Sequence, residues 1–342
     1  KLSGGKMRAA RFHGAKDLRI EEVPKPDVPA GHTLVAMERV GICGTDLEEY
    51  LIGPVIIPKH RQPMIIGHEY LGRVIEDPLG KLKPGTLVIP DGIVGCGNCY
   101  YCDRHEEGIC KNYECIGLTC DGGMAEFMAT DPTRWIEVPK HVSADVAVFA
   151  EPMSVAVRAL NKIPTIPGTK IAVTGGGTVG LLIAQAARSF GAAQVVVYEP
   201  NPVRQEVARA LGFESLNPLN EKEWAHYDEF DSLLECSGVK GTTAKSLEKI
   251  RNAGSLVLVG FRPEEESFHL LNFVLSEKRI LGTAAHMWDV DIAAAIALLA
   301  GPSIDTKPLL TDVIALDEVV TKGFDRLLND KNAFKIVVDT TR

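Results

Sequence analysis

Residues 170–180 read KIAVTGGGTVG. A β-branched run stops on glycines in the pattern G-x-G-x-x-G, at Gly175, Gly177 and Gly180, with Thr178 and Val179 between the last two. LLIAQAARSFGA follows with apolar residues at helical spacing, then a second apolar run, QVVVYEP. The order is strand, glycine turn, helix, strand. The glycine pattern alone is a weak signal. In this context it specifies a tight turn whose backbone approaches a pyrophosphate at a helix N-terminus. Glu199 closes the second strand, about twenty residues beyond the glycines, where a carboxylate accepts hydrogen bonds from ribose hydroxyls and repels a 2′-phosphate. The sequence therefore favours NAD over NADP, with Arg204 as the nearby residue that would instead suit a phosphate.

The pattern continues. FDSLLECSG (230–238) and GSLVLVGF (254–261) read as further strands, and TTAKSLEKIRNAG between them reads as a helix closed by glycine. Strands alternating with helices imply a parallel, doubly wound sheet. Cys236, at the end of one such strand, reads as packing. The first 150 or so residues differ: HTLVAMERVGIC and GTLVIPDGIV are short strand patterns broken by Pro and Gly, which suggests a mostly-β domain. Beyond the α/β repeats come an Ala-rich helix, DIAAAIALLAG, and a terminal strand, FKIVVDT. No internal repeat at solenoid period is present.

The chain has 342 residues, 45% of them apolar, enough for two domains with full cores. A net charge of −8 argues against nucleic acid or an anionic membrane as partner. No apolar run is long enough to span a bilayer. The opening KLSGGKM lacks the apolar core of a signal peptide, Met7 is the expected natural start, and the cytoplasm is the default compartment. Disulfides are rare there, and clustered cysteines more often hold metal or do redox chemistry.

Residues 96–110 read CGNCYYCDRHEEGIC and supply Cys96, Cys99, Cys102 and Cys110, spaced C-x2-C-x2-C-x7-C. Short gaps let one loop wrap an ion, and four thiolates make a closed structural zinc site. His105 falls inside the loop, where the shell is already full. The bacterial iron–sulfur spacing continues x3-C-Pro, but here the gap is seven and Lys111 follows. The lobe is expected to supply rigidity and no chemistry.

Two upstream fragments, GICGTD (41–46) and IIGHEY (65–70), each offer one metal ligand, Cys43 and His68. Singly, a cysteine after glycine is usually a small buried residue and a lone histidine usually structural. Farther on, VFAEPMSVAVRAL sets Glu151 in an apolar run, where a buried carboxylate needs a partner, a metal or a helix N-terminus. Together Cys43, His68 and Glu151 would give the three protein ligands and open position of a catalytic zinc, with Glu69 as an alternate or exchanging ligand. Asp46 is the candidate acceptor that orients His68.

Over nearly its full length the chain resembles the zinc-containing medium-chain dehydrogenase/reductase family, the alcohol, polyol and sugar dehydrogenase group. GICGTD, GHEYLGRV, the four-cysteine lobe, AEPMSVAVRAL and VTGGGTVG carry the resemblance. It implies a GroES-like mostly-β catalytic domain, residues 1–153 and 287–342 with a structural-zinc lobe at 95–111, plus a Rossmann NAD-binding domain, residues 154–286. It implies two zinc ions per chain, NAD as hydride acceptor, and Cys43, His68 and Glu151, with Glu69, around the catalytic ion. The third-ligand position is cysteine in some members and acidic in many polyol and sugar relatives. Thr45 matches the hydroxyl of the proton relay. Many relatives place a histidine where Glu48 stands, so the relay's outer end departs from the pattern, and the usual GDRV turn reads GTLV. The implied activity is oxidation of a secondary alcohol: a polyol, sugar or vicinal diol. Sugar 1-dehydrogenases and threonine-type dehydrogenases are the alternatives, and a non-catalytic binding protein on the same fold is the reading from a different class. A homodimer or homotetramer is the expected assembly.

Overall fold

The computed structural model describes residues 5–131, 133–262 and 265–342. The described residues fall into two compact units: those within 1–151, 286–300 and 306–342 form one, and those within 152–285 and 301–305 the other.

The second unit is built on six parallel strands. Across the sheet they run Glu214–Leu216, Gln194–Tyr198, Lys170–Thr174, Phe230–Glu235, Ile250–Leu258 and Arg279–Gly282. In chain order that is 3-2-1-4-5-6, the doubly wound order of dinucleotide-binding folds. Both faces are covered, so the strands are apolar throughout: Val173, Val196, Val197, Leu233, Leu234, Leu256 and Val257 are fully buried. Truncating one of these, such as Leu233→Ala, is worth about 2–5 kcal/mol of stability. The stretch at 242–254 differs from its sequence reading. The helix is Thr242–Lys249 only, and Ile250 already belongs to the next strand, opposite Phe230. Ile250 is buried in the core cluster and Arg251 reaches Asp231 at 2.6 Å, so tertiary pairing overrides the helical continuation.

The first unit is mostly β. Its largest sheet runs Trp135–Glu137, Leu87–Pro90, Glu69–Glu76, Thr33–Gly41, Lys335–Asp339 and Leu310–Ala315, with Phe127–Thr130 also on Thr33–Gly41. The C-terminal strand thus lies between the third strand of the chain and Leu310–Ala315. A three-stranded sheet of Asp17–Pro24, Lys6–Gly14 and Met64–Ile65 lies in the same unit. The short pair Ile93–Val94 and Glu114–Cys115 closes the base of the cysteine loop. Among the described residues no helix is long and apolar enough to cross a membrane.

Candidate active site and metal centres

Among the described residues two groups of side chains have ligand atoms within 4.8 Å of one another: Cys96, Cys99, Cys102 and Cys110, and Cys43, His68 and Glu69. In the first, Cys99 Sγ lies 3.6 Å from Cys102 Sγ and 3.7 Å from Cys110 Sγ. These separations are far too long for disulfides, and the cysteines are free. They match a tetrahedral thiolate shell, whose edges are about 3.8 Å when metal–sulfur bonds are about 2.3 Å. Gly97 turns the loop at φ +75°, and a Cβ on Gly95 would stand 2.6 Å from Cys102 Sγ, so both glycines are required by geometry. The N–H groups of Cys96 and Asn112 donate to Cys110 Sγ and hold its thiol down at about 7, whereas desolvation pushes Cys102 up to about 12. The lowered Cys110 thiol favours the thiolate form that a cation takes up.

The second group comes from two turns. Cys43 is the N-cap of helix Gly44–Ile52, and His68 precedes strand Glu69–Glu76. Gly67 makes the approach, with φ +96° and no room for a Cβ against Val40. Asp46, wholly buried, ties the two ligands together. Its Oδ2 accepts the Cys43 N–H at 2.9 Å, and its Oδ1 stands 3.4 Å from His68 Nδ1. Burial opposes charge on His68, but Asp46 and Cys43 outweigh it and hold the imidazole well above its usual range. A pocket that stabilises a proton between a thiol and a carboxylate is also one that a divalent cation fits, with the proton released.

Glu69 is buried and held by Lys335, whose Nζ lies 2.8 and 2.6 Å from its two oxygens and also donates to the Ile42 carbonyl at 2.9 Å. Burial raises the Glu69 carboxyl more than Lys335 lowers it. A Cβ on Gly41 would overlap the Glu69 carboxylate. Glu151, the second residue of helix Ala150–Leu160, is not within the 4.8 Å group. Its Oε1 stands 3.6 Å from His286 Nδ1. Burial would raise its carboxyl, but His286 and His68 outweigh that and lower it. His286 in turn is pushed up to about 9: burial works against its charge, and Asp91 and Glu151 overcome it. Thr45 Oγ1 is 3.8 Å from Cys43 Sγ, and Glu48 is half-buried one turn along the same helix. Sequence reasoning missed Lys335, His286 and Asp91. Each is a charged or titratable residue in an apolar context (FKIVVDT, AAHMW, LVIPDGIV), which is the one mark the sequence carries for it.

In the other unit, strand Lys170–Thr174 ends on Gly175 at φ +93°, and helix Thr178–Ser189 starts with Thr178 and Val179 after an N-cap, Gly177, that has no side-chain cap. The first-turn N–H groups are thus left for an anion. A Cβ on Gly180 would overlap the Gly175 carbonyl, which explains the third glycine. The Glu199 carboxylate is buried beside the loop, accepting the Gly176 N–H at 2.7 Å and the Asn201 N–H at 2.8 Å. Arg204, on helix Pro202–Ala210, flanks Gly177: its Nη1 would be 3.7 Å from a Cβ there.

Residues 29–140 match the alcohol dehydrogenase GroES-like domain, and residues 178–301 match the zinc-binding dehydrogenase domain. The chain belongs to the zinc-type medium-chain alcohol dehydrogenase family, whose members are zinc- and NAD(P)-dependent oxidoreductases. It is 30% identical to an (R,R)-butanediol dehydrogenase of Neisseria gonorrhoeae over 362 aligned positions, covering 97% of this chain and 99% of that one. The crystal structure of 2R,3R-butanediol dehydrogenase from Bacillus subtilis superposes with a TM-score of 0.90 at 28% identity, covering 97% of this chain and 99% of the other. The L-idonate 5-dehydrogenase of Escherichia coli superposes with a TM-score of 0.91 at 27% identity, with 98% of each chain covered.

Proposed function

We propose that the protein oxidises a secondary hydroxyl of a polyol or vicinal diol, passing hydride to NAD, at a zinc held by Cys43, His68 and Glu151. The carrying observation is the meeting of Cys43, His68 and Glu69 within 4.8 Å, backed by buried Asp46. Among the three carboxylates nearby, Asp46 serves His68 and the Cys43 backbone, and Glu69 has both oxygens on Lys335. Glu151, ion-paired with His286 and close enough for its charge to be felt at His68 and Glu69, is the third ligand, with Glu69 as the residue that exchanges with it. A zinc ion bound there supplies Lewis acidity that lowers the pKa of a coordinated hydroxyl, and the hydride chemistry belongs to the nicotinamide.

This chain's residues do the rest. Asp46, 3.4 Å from Nδ1, orients the imidazole, so that Nε2 would be the nitrogen to hold the ion. Thr45, next to Cys43, would accept the hydroxyl proton while giving up its own. Glu48, three residues on and on the same helical face, receives it. Gly175, Gly177, Gly180 and the N–H groups of Thr178 and Val179 cradle the pyrophosphate, and Glu199 takes the ribose hydroxyls, which favours NAD despite Arg204. Cys96, Cys99, Cys102 and Cys110 hold a second, structural zinc. The acidic third ligand supports the polyol reading, since several hydroxyls approach the metal together. The substrates for which the relatives are named, butanediol and idonate, point the same way.

We also infer a homodimer or homotetramer. Leu270, Leu271, Val274 and Leu275 are more than half exposed on one short helix next to the edge strand of the parallel sheet. The test is zinc analysis, sedimentation and an NAD-reduction screen over polyols, diols, aldoses and amino alcohols. Two zinc ions per chain, an oligomeric mass and turnover of a polyol or diol are expected. Turnover that persists in Cys43→Ser with the lobe's zinc alone would overturn the site assignment.

A further inference from the structure

Behind Glu151 lies a row of charged groups that the proposed reaction does not use. His286 is 2% exposed at its side chain, with Nδ1 3.6 Å from Glu151 Oε1 and Nε2 3.5 Å from Asp91 Oδ1. Neither ring nitrogen has a hydrogen-bond partner, so the ring is held by these two ion pairs, one on each side. Asp91 is fixed as well. Its Oδ1 accepts the Ile93 N–H at 3.0 Å and its Oδ2 accepts Arg134 Nε at 2.8 Å. Arg134 Nη1 lies 3.7 Å from Glu107 Oε1.

Glu107 is part of the cysteine loop. A Cβ on Gly95 would stand 2.8 Å from Glu107 Cγ as well as 2.6 Å from Cys102 Sγ. The next residue, Gly108, touches the backbone that carries the histidine. Its N–H donates to Met287 Sδ at 3.4 Å, and a Cβ on it would stand 2.6 Å from the His286 carbonyl. The lobe therefore meets His286 by two routes, one of side chains and one of backbone. Five charged or chargeable groups in a row carry a large desolvation cost, and buried ion pairs contribute little net stability relative to apolar packing. Fixing the direction of one carboxylate is a better account of the row.

We propose that His286 is the positioning residue for Glu151, and that the four-cysteine lobe, by fixing His286, sets how tightly the catalytic centre holds its metal. The proposal rests on Glu151 being the third ligand. The test uses the full-length zinc-loaded protein and its His286→Leu, His286→Gln, Glu107→Gln and Glu151→Gln variants, titrated with a chelator. Zinc per chain is counted, and loss at the catalytic centre is read as alkylation of Cys43, located by peptide mass.

His286→Leu should release that zinc at about 10- to 100-fold less chelator. His286→Gln, which still donates to one carboxylate, should recover part of the loss, and Glu107→Gln should shift release the same way by less. If Glu151→Gln weakens zinc retention while His286→Leu and Glu107→Gln leave it at the parent level, the positioning role is wrong. If Glu151→Gln also retains zinc, the ligand assignment beneath it is what fails. Should His286→Leu not fold, judged by circular dichroism, His286→Gln and Glu107→Gln decide the outcome.

Discussion

Replacing Lys335 with methionine keeps much of the side chain's volume and removes its charge. In the parent, Lys335 and Glu69 are 7% and 2% exposed at their side chains, and the ammonium touches both carboxylate oxygens and the Ile42 carbonyl. The variant leaves a buried carboxylate without its cation and a buried carbonyl without its donor. Removing one partner of such a pair costs about 3–5 kcal/mol. Lys335 opens strand Lys335–Asp339, whose Val337 and Val338 pair with Gly41 and Val40 in the middle of the large sheet. Native-state hydrogen exchange at those two amides reads the opening free energy of that unit directly. At about 1.4 kcal/mol per tenfold, their exchange should rise about 140- to 3,700-fold. The double variant Lys335→Met with Glu69→Gln should regain most of the loss, because no uncompensated charge then stays inside. A rise under about tenfold in the single variant, or no recovery in the double, would refute the argument that this pair is what makes a buried Glu69 tolerable.

Glu199→Ala should lower the NAD-to-NADP ratio of kcat/KM by about ten- to a hundredfold, the worth of hydrogen bonds to a charged acceptor; an unchanged ratio counts against its ribose role. Asp231 gives a pH signature in the other unit. Burial would raise its carboxyl, but the Lys170 N–H at 2.8 Å and Arg251 at 2.6 Å outweigh that and lower it. Its contribution is complete above the ordinary value of 3.8 and is lost as pH falls through the depressed folded value. Asp231→Asn should therefore melt earlier than the parent at pH 7 and converge with it below 3.8; a gap constant across pH would sink this.

The fold class was legible because its signals are local. KIAVTGGGTVG carries β-branched residues up to a turn that only glycines fit, and Gly175 and Gly180 are required by φ and by overlap with the Gly175 carbonyl. The apolar runs QVVVY and FDSLLE are buried on both faces, so they read as strands without any partner in view. The helix read into TTAKSLEKIRNAG overran by its last residues because Ile250 is claimed by Phe230, a contact the local sequence does not contain.

The candidate site divides along the same line. Cysteine, histidine and carboxylate in short glycine-flanked motifs stand out, because few structural roles ask for those residue types there. Lys335 and His286 are marked only by their apolar surroundings, which name no role, because their work depends on what lies 2.6–3.6 Å away in the folded chain. Glu48 and Glu49 show the limit most clearly. They are identical and adjacent, but a helical step of about 100° sends them to different places. Glu48 stays half-buried on the face of Thr45. Glu49 turns inward, and its carboxylate accepts the N–H groups of Val55, Ile56 and Ile57, closing the loop that follows the helix. The proposed proton path would therefore use Glu48 and not Glu49, whose carboxylate is held by the N–H groups of Val55, Ile56 and Ile57.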